Sequence, residues 1–315
     1  MIAGIQSQYA PTMYVGLWSR VAGFRREDLN EALERRRVVQ GTLMRATIHL
    51  VSADDYWPLA LAIRVPRRRW WLRMASNRGR EGSVEAAADR ARRALADHGR
   101  LGRQQLEAVV GRGMIEPLGL WLDLVRVPPS GTWERRRADL FAAAEDWLGP
   151  PPPELTEADA RDLLVRRYLS GFGPATAAQV AGWAGTTVAD LAPSIERVAT
   201  RRFLGPDGKA LLDLPGAALP CATGEVPVRF LSTWEAVLLV HARQAEVLRE
   251  EDRSRIFTSR NPHSQNTFLV GGQVAGTWHY EQDQVEIDPF RPLPRGQVRA
   301  VHEEGERLAE LYREI

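Results

Sequence analysis

The stretch Val38-Val-Gln-Gly-Thr-Leu-Met-Arg-Ala-Thr-Ile-His-Leu-Val51 contains two β-rich runs, 38–44 and 47–51, separated only by Arg45-Ala46. So short a spacer between two runs of strand-favouring residues predicts a tight hairpin. Two helices are expected before it. Residues 12–21 place Met13, Leu17 and Val21 at i, i+4 and i+8, beside Tyr14 and Trp18, with Pro11 at a tolerated first-turn position. Residues 25–37 bury Leu29 and Leu33 on a second helix that ends in the basic cluster Arg35-Arg36-Arg37. Helix, helix and hairpin in succession is the order of a winged helix. Beyond the hairpin, Ser52-Ala-Asp-Asp55 resembles a capping box and starts a further helix through Tyr56, Trp57 and Leu59.

Working outward, the order of elements recurs. Residues 83–97 read as a helix, 101–110 follow a break at Gly99, and 118–127 precede the loop Pro128-Pro129-Ser130-Gly131. A cleaner copy lies beyond the prolines 150–153. There Thr156-Glu-Ala-Asp159 caps a helix reaching Ser170, residues 175–184 form the next, Gly185 turns the chain, and 188–198 form the third. Strands 201–204 and 210–214 then pair across Pro206-Asp207-Gly208, a strong hairpin signal. From about residue 226 the pattern changes to strand-like pieces at 228–231, 267–270, 274–280 and 285–287, closed by an amphipathic helix over 295–313. The expected fold is α+β and mainly helical, with tandem winged-helix (helix-turn-helix) units followed by a small β-barrel-like C-terminal domain. The expected domains are 1–82, 83–150, 154–216 and 226–315.

The 315 residues, 44% hydrophobic and 26% charged, have the composition of an ordinary globular protein. No run approaches the ~18 apolar residues of a membrane span, and the opening MIAGIQSQYAP has neither a basic nor an apolar leader region, so a cytoplasmic protein is expected. The single cysteine, Cys221, cannot form an internal disulfide, and the six histidines show no CxxC, HxH or HExxH spacing, which argues against a zinc enzyme. There is no GxGxxG, GxxxxGK[ST] or GxSxG, so no nucleotide cofactor is expected and triad chemistry is disfavoured. The net charge of +2 hides a division: before the proline run the chain carries 24 basic against 17 acidic residues, and from there on 18 against 23. All the basic residues but Lys209 are arginine. A basic N-terminal half is a prior for a polyanion partner, and equally what a GC-rich coding sequence produces.

The densest basic candidate is Arg64-Val-Pro-Arg-Arg-Arg-Trp-Trp-Leu-Arg73, continuing to Arg78 and Arg80. Arginines interleaved with two tryptophans are able to clamp phosphates and wedge bases. The competing reading makes Trp70 and Trp71 core anchors and the arginines a solvated face. In the third copy, helix 188–198 carries Asp190, Glu196 and one arginine, Arg197, a poor charge set for a DNA groove, so this copy is expected to be structural. The acidic pairs Asp54-Asp55, Glu250-Glu251 and Glu303-Glu304 point about 100° apart on a helix and read as capping or solvation. His49, on a strand of the first hairpin, reads as a buried structural histidine before a chemical one. In Gln6-Ser7-Gln8, an extended backbone projects both glutamines to one side, where two amides are able to hold a water molecule although neither is a strong base.

Several of these segments together are familiar. Gly4-Ile-Gln-Ser-Gln8, Leu17-Trp-Ser-Arg20, Leu43-Met-Arg-Ala-Thr-Ile-His-Leu-Val51, Asp55-Tyr56, Tyr168-Leu-Ser-Gly-Phe-Gly-Pro-Ala-Thr176, Leu212-Asp-Leu-Pro-Gly216, Arg229-Phe-Leu231, Val274-Ala-Gly-Thr-Trp278 and Glu286-Ile-Asp-Pro-Phe290 follow one another in an order and spacing that resembles the bacterial winged-helix DNA glycosylases of the AlkZ and YcaQ type. The resemblance spans nearly the whole chain and implies excision of alkylated bases, including unhooking of interstrand crosslinks. In that family a Gln-x-Gln or Gln-x-Asp motif carries catalysis, and the matching positions are Gln6 and Gln8. Five residues precede Gln6, fewer than is usual for the family, so the first unit is expected to be N-terminally shortened; Ser7 also stands where an aliphatic residue or alanine is usual.

These readings make Gln6 and Gln8 the candidate catalytic pair. Arg37, Arg45, Thr47, His49, Arg67, Arg68, Arg69, Trp70 and Arg73 are the candidate DNA contacts. The expected partner is double-stranded DNA bearing alkylated or crosslinked bases, bound by a monomer without metal or other cofactor. A non-catalytic winged-helix DNA-binding protein, acting as a regulator or a damage binder, is the rival reading.

Overall fold

The computed structural model describes residues 3–74, 79–205, 208–218, 224, 226–239, 244–258 and 261–314. Arg78, Pro206, Asp207 and Cys221, each singled out above, lie outside the described residues. The chain is α+β and mainly helical, and it divides into two compact units, Met1–Tyr9 with Glu31–Ala217 and Ala10–Asn30 with Ala218–Ile315.

The first unit is organised by a six-stranded antiparallel sheet in the order Ile5–Gln6, Ile48–Ser52, Val38–Thr42, Leu124–Arg126, Leu140–Ala143, Leu101–Gly102. Strands from the first two expected copies therefore share one sheet, joined where Gln40 faces Arg126 and Gly41 faces Val125. Glycine is required at position 41, because a Cβ there would lie 2.6 Å from the ring of buried Tyr56. The hairpin turn is a single tight coil, Met44–Ala46, closed by the Leu43 N–H on the Thr47 carbonyl at 2.9 Å. Arg45 and Ala46 both take left-handed backbone angles, with φ of +53° and +59°.

Ser52 caps the helix Ala53–Arg73, its hydroxyl accepting from the Asp55 N–H at 3.3 Å. The helix runs well past Leu59 although Pro58 and Pro66 each remove one backbone donor. Burial of Tyr56, Trp57, Leu59, Ile63 and Trp71 offsets those losses. It packs on the helix Glu157–Phe172, where Arg167 grips buried Asp55 through two hydrogen bonds of 2.7 and 2.8 Å. The remaining elements of this region follow the expected order: helices Ala177–Ala184 and Val188–Val198, then the hairpin Arg201–Leu204 with Ala210–Asp213. Thr156, Thr176 and Thr187 cap the three helices through their hydroxyls.

In the second unit the strands Gln284–Pro289, Gln273–Glu281, Thr267–Val270 and Arg229–Leu231 form an open antiparallel sheet in that order. The helix Arg295–Arg313 lays Val301, Leu308 and Leu311 on Phe230, Phe268 and Trp278, and Val15 of the helix Ala10–Trp18 joins the same core. No closed barrel forms among the described residues, in contrast to the barrel-like domain expected from the sequence. A helix covers the apolar face, so the sheet has no need to close on itself. A short ribbon, Phe257–Thr258 with Asn261–Ser264, was not anticipated. Among the described residues, no helix is long and apolar enough to cross a membrane, and no group of three or more His, Cys, Asp or Glu side chains is placed to hold a metal.

Candidate active site

The strand Ile5–Gln6 lies on the edge of the first unit's sheet, with Ile5 opposite Leu50 and Gln6 opposite His49. The Ser7 N–H extends the pairing to the Ile48 carbonyl at 2.8 Å. Gly4 permits this entry: its φ is +101°, and a Cβ there would meet Val51 at 2.8 Å. Gln6 is therefore held rigidly and buried, while Gln8 is exposed beyond the last paired residue. The two carboxamides do face one volume, as the i, i+2 spacing predicts, and Gln6 Nε2 donates to Gln8 Oε1.

Arg45 fixes the direction of this contact. Its Nη2 donates to Gln6 Oε1 at 2.9 Å, and its Nη1 donates to the Trp183 carbonyl at 2.6 Å. A guanidinium has only donors, so the atom of Gln6 facing it must be the carbonyl oxygen, which turns the amide nitrogen toward Gln8. Burial lowers the Arg45 pKa to about 10, which leaves the group charged at neutral pH. The turn carrying Arg45 is packed against Gly185, the left-handed cap of the helix Ala177–Ala184. A Cβ on Gly185 would lie 2.8 Å from the Arg45 nitrogen.

His49 is buried beside this group. Burial, reinforced by the positive charge of Arg45 and only partly opposed by a hydrogen bond with the Thr47 backbone, lowers its pKa to about 3. The ring is neutral, and its Nδ1 lies 3.1 Å from the Thr47 carbonyl, an arrangement that requires Nδ1 to carry the proton. Thr47, half-buried, donates its hydroxyl to the Met44 carbonyl at 3.0 Å and stiffens the turn.

The arginine-tryptophan run splits by helical phase. Arg67 is buried, its pKa lowered to about 10 by burial, and it donates to the Thr42 carbonyl at 2.8 Å. Arg68 donates to the Leu120 carbonyl at 2.7 Å and lies over the Trp121 ring, while Trp71 meets Trp121 edge-on. These three side chains build the core or its margin. Arg69, Trp70 and Arg73 face outward, Trp70 with 51% of its surface exposed, and Arg37 is exposed elsewhere in the unit. The side chains of His49 and Arg67 are thus buried within the protein. The acidic pairs are structural too: Asp55 binds Arg167, Glu304 binds Arg229 and Arg307, and Glu251 binds Arg291.

A cavity of about 320 Å³ is lined by Arg45, the residue whose guanidinium also holds Gln6; the glutamines themselves do not line it. Trp70 and Arg73 line one side, and Gly185, Thr186 and Asp190 the other. Asp190 joins the two sides: it accepts from Arg69 at 3.2 Å and from the hydroxyls of Thr186 at 3.1 Å and Thr187 at 2.6 Å. Burial pushes its carboxyl up, but those hydrogen bonds outweigh burial and hold it below the usual range. Sequence reasoning missed this wall because it judged helix 188–198 by its charge for a DNA groove.

A family model described as DNA glycosylase AlkZ-like matches residues 2–311. A Streptomyces sahachiroi protein named interstrand DNA cross-link repair glycosylase is 22% identical over 342 residues, which cover 98% of this chain and 88% of that protein. The solved structure of Streptomyces sahachiroi DNA glycosylase AlkZ matches with a TM-score of 0.78 at 20% identity, covering 98% of this chain and 88% of the other. The match extends over nearly the full length, and the chain belongs to the AlkZ-like DNA glycosylase family.

Proposed function

We propose that this chain is a monofunctional DNA repair glycosylase that hydrolyses the N-glycosidic bond of N7-alkylated purines and unhooks interstrand crosslinks built on such adducts. Three winged-helix units present the site to double-stranded DNA. The protein works as a monomer in the cytoplasm, nucleoid-associated when bound. The observation that carries the reading is the hydrogen-bonded series from Arg45 to Gln6 to exposed Gln8.

A purine alkylated at N7 is already cationic, so it departs from C1′ with the bonding electron pair as a neutral base and needs no acid. What remains is an oxocarbenium-like sugar that a positioned water must meet. Gln8 Oε1 has a second lone pair beyond the one used by Gln6, and this accepts a hydrogen from the water and aims the water oxygen at C1′. As the new C1′–O bond forms, the spare proton passes to solvent, because a carboxamide is too weak a base to keep it. Gln6 positions Gln8, and Arg45 positions Gln6. A strong catalytic carboxylate is unnecessary for so good a leaving group, which fits the structural use of the acidic pairs.

The test is base release from a duplex bearing one N7-methylguanine, followed by strand scission at the abasic site. Release well above the spontaneous rate supports the reading. Binding with no release, from both this duplex and a crosslinked one, would make the chain a non-catalytic DNA-binding protein.

A further inference from the structure

We infer that the cavity walled by Arg45, Trp70, Arg73, Gly185, Thr186 and Asp190 is a subsite for a neutral aromatic substituent, bearing a hydrogen-bond acceptor, carried on N7 of the damaged purine. The inference rests on the glycosylase reading and specifies its substrate class.

Position is the first argument. Arg45 lines the cavity and also holds Gln6, so whatever fills the cavity is one side chain away from the reacting centre. Size is the second: about 320 Å³ falls in the range of sites that hold small organic molecules, roughly 300–1,000 Å³, and far exceeds a methyl group. The third is charge. Arg45, Arg67 and Arg73 all line the cavity, while its one carboxylate, Asp190, is already bound by Arg69, Thr186 and Thr187. A cationic N7-alkylpurine ring finds no free counter-charge there, whereas a neutral group with an acceptor does find donors. Arg73 has no carboxylate partner among the described residues. The fourth is Trp70, half-exposed on the wall and ready to stack on an aromatic ring. The shape is built in advance, since Asp190 ties the Trp70 helix to the Thr186 turn through Arg69.

The test uses the full chain and two duplexes, each with a 2′-fluoro sugar that blocks cleavage, one carrying N7-methylguanine and the other N7-(4-carbamoylbenzyl)guanine. Equilibrium affinity is measured for the parent, Trp70→Ala, Trp70→Phe and Thr186→Phe. The parent is expected to bind the benzyl duplex about tenfold more tightly, the scale of one aromatic stack. Trp70→Ala and the cavity-filling Thr186→Phe are expected to reduce that ratio to twofold or less, and Trp70→Phe to keep most of it. No preference in the parent, or a preference that survives both Trp70→Ala and Thr186→Phe, overturns the proposal. Equal weakening on both duplexes also overturns it and assigns the cavity to the purine itself. Base release from the ordinary-sugar duplexes is scored separately, so a failure of the glycosylase reading is distinguishable from a failure of the subsite.

Discussion

The Arg45 guanidinium donates to the Gln6 carbonyl oxygen at 2.9 Å and so decides which end of the Gln6 amide faces Gln8. Removing the guanidinium lets that amide rotate, and in the proposed mechanism Gln8 then loses its aim. Arg45→Met keeps the unbranched stem as far as the position of Nε and meets the same left-handed backbone demand, so it removes the charge and its hydrogen bonds with little change to the turn. Single-turnover base release is expected to fall about 100-fold, the scale of a misplacement near 1 Å, with Arg45→Lys intermediate because one donor is kept. A parent-like rate in Arg45→Met would separate Arg45 from the reaction.

Gly185→Ala pushes on the same turn from behind. Its φ of +75° suits glycine, and the added Cβ would sit 2.8 and 2.9 Å from the Arg45 nitrogen and Cα. The backbone strain alone costs about 1–2 kcal/mol. Urea unfolding is expected to show at least that loss, with base release reduced further as Arg45 shifts.

His49 gives a pH dependence with a definite sign. Unfolded, its ring takes a proton near the ordinary value of 6.5; folded, burial and the nearby charges of Arg45 and Arg67 delay protonation to about 3. Between those values the unfolded chain binds more protons. The stabilising contribution is therefore intact above pH 6.5 and lost as the pH falls toward 3, by up to about 1.4 kcal/mol per pH unit. Unfolding free energies measured from pH 7 to 4.5 are expected to slope downward in the parent and to flatten in His49→Leu.

Asp55 and Arg167 clamp the helix Ala53–Arg73 to the helix Glu157–Phe172. Asp55→Ala leaves the guanidinium without its carboxylate. Breaking a fully buried pair costs about 3–5 kcal/mol, and because Arg167 retains 27% exposure the expected loss is smaller, about 2 kcal/mol, read by denaturant unfolding.

Much of this was legible in local pattern. The box Ser52 to Asp55 marks the true start of its helix, and the final helix over 295–313 has the predicted bounds. The extent of Ala53–Arg73 was not legible. Proline inside a helix is unfavourable by propensity, and only long-range burial of Ile63 and Trp71 explains why the helix continues through Pro66. The same limit governs the site. Gln6 and Gln8 are neighbours in sequence, and their shared direction follows from the strand period of two. That Arg45 reaches back to Gln6 across 39 positions, while Arg67 turns inward and Arg69 outward, depends on sheet register and helix phase. The wall formed by Thr186 and Asp190 comes from still farther along the chain, and nothing in the local sequence of residues 185–190 names the first hairpin as its neighbour.

In the proposed reaction Gln8, positioned by Gln6, holds the water that attacks C1′. Its most direct measurement is single-turnover release of N7-methylguanine from a duplex by the parent, Gln6→Ala and Gln8→Ala, with DNA affinity determined in parallel. Release by the parent is expected to fall by at least about 100-fold in both variants while affinity changes little. Release at the parent rate in Gln8→Ala, or a loss of activity explained wholly by lost binding, would contradict it.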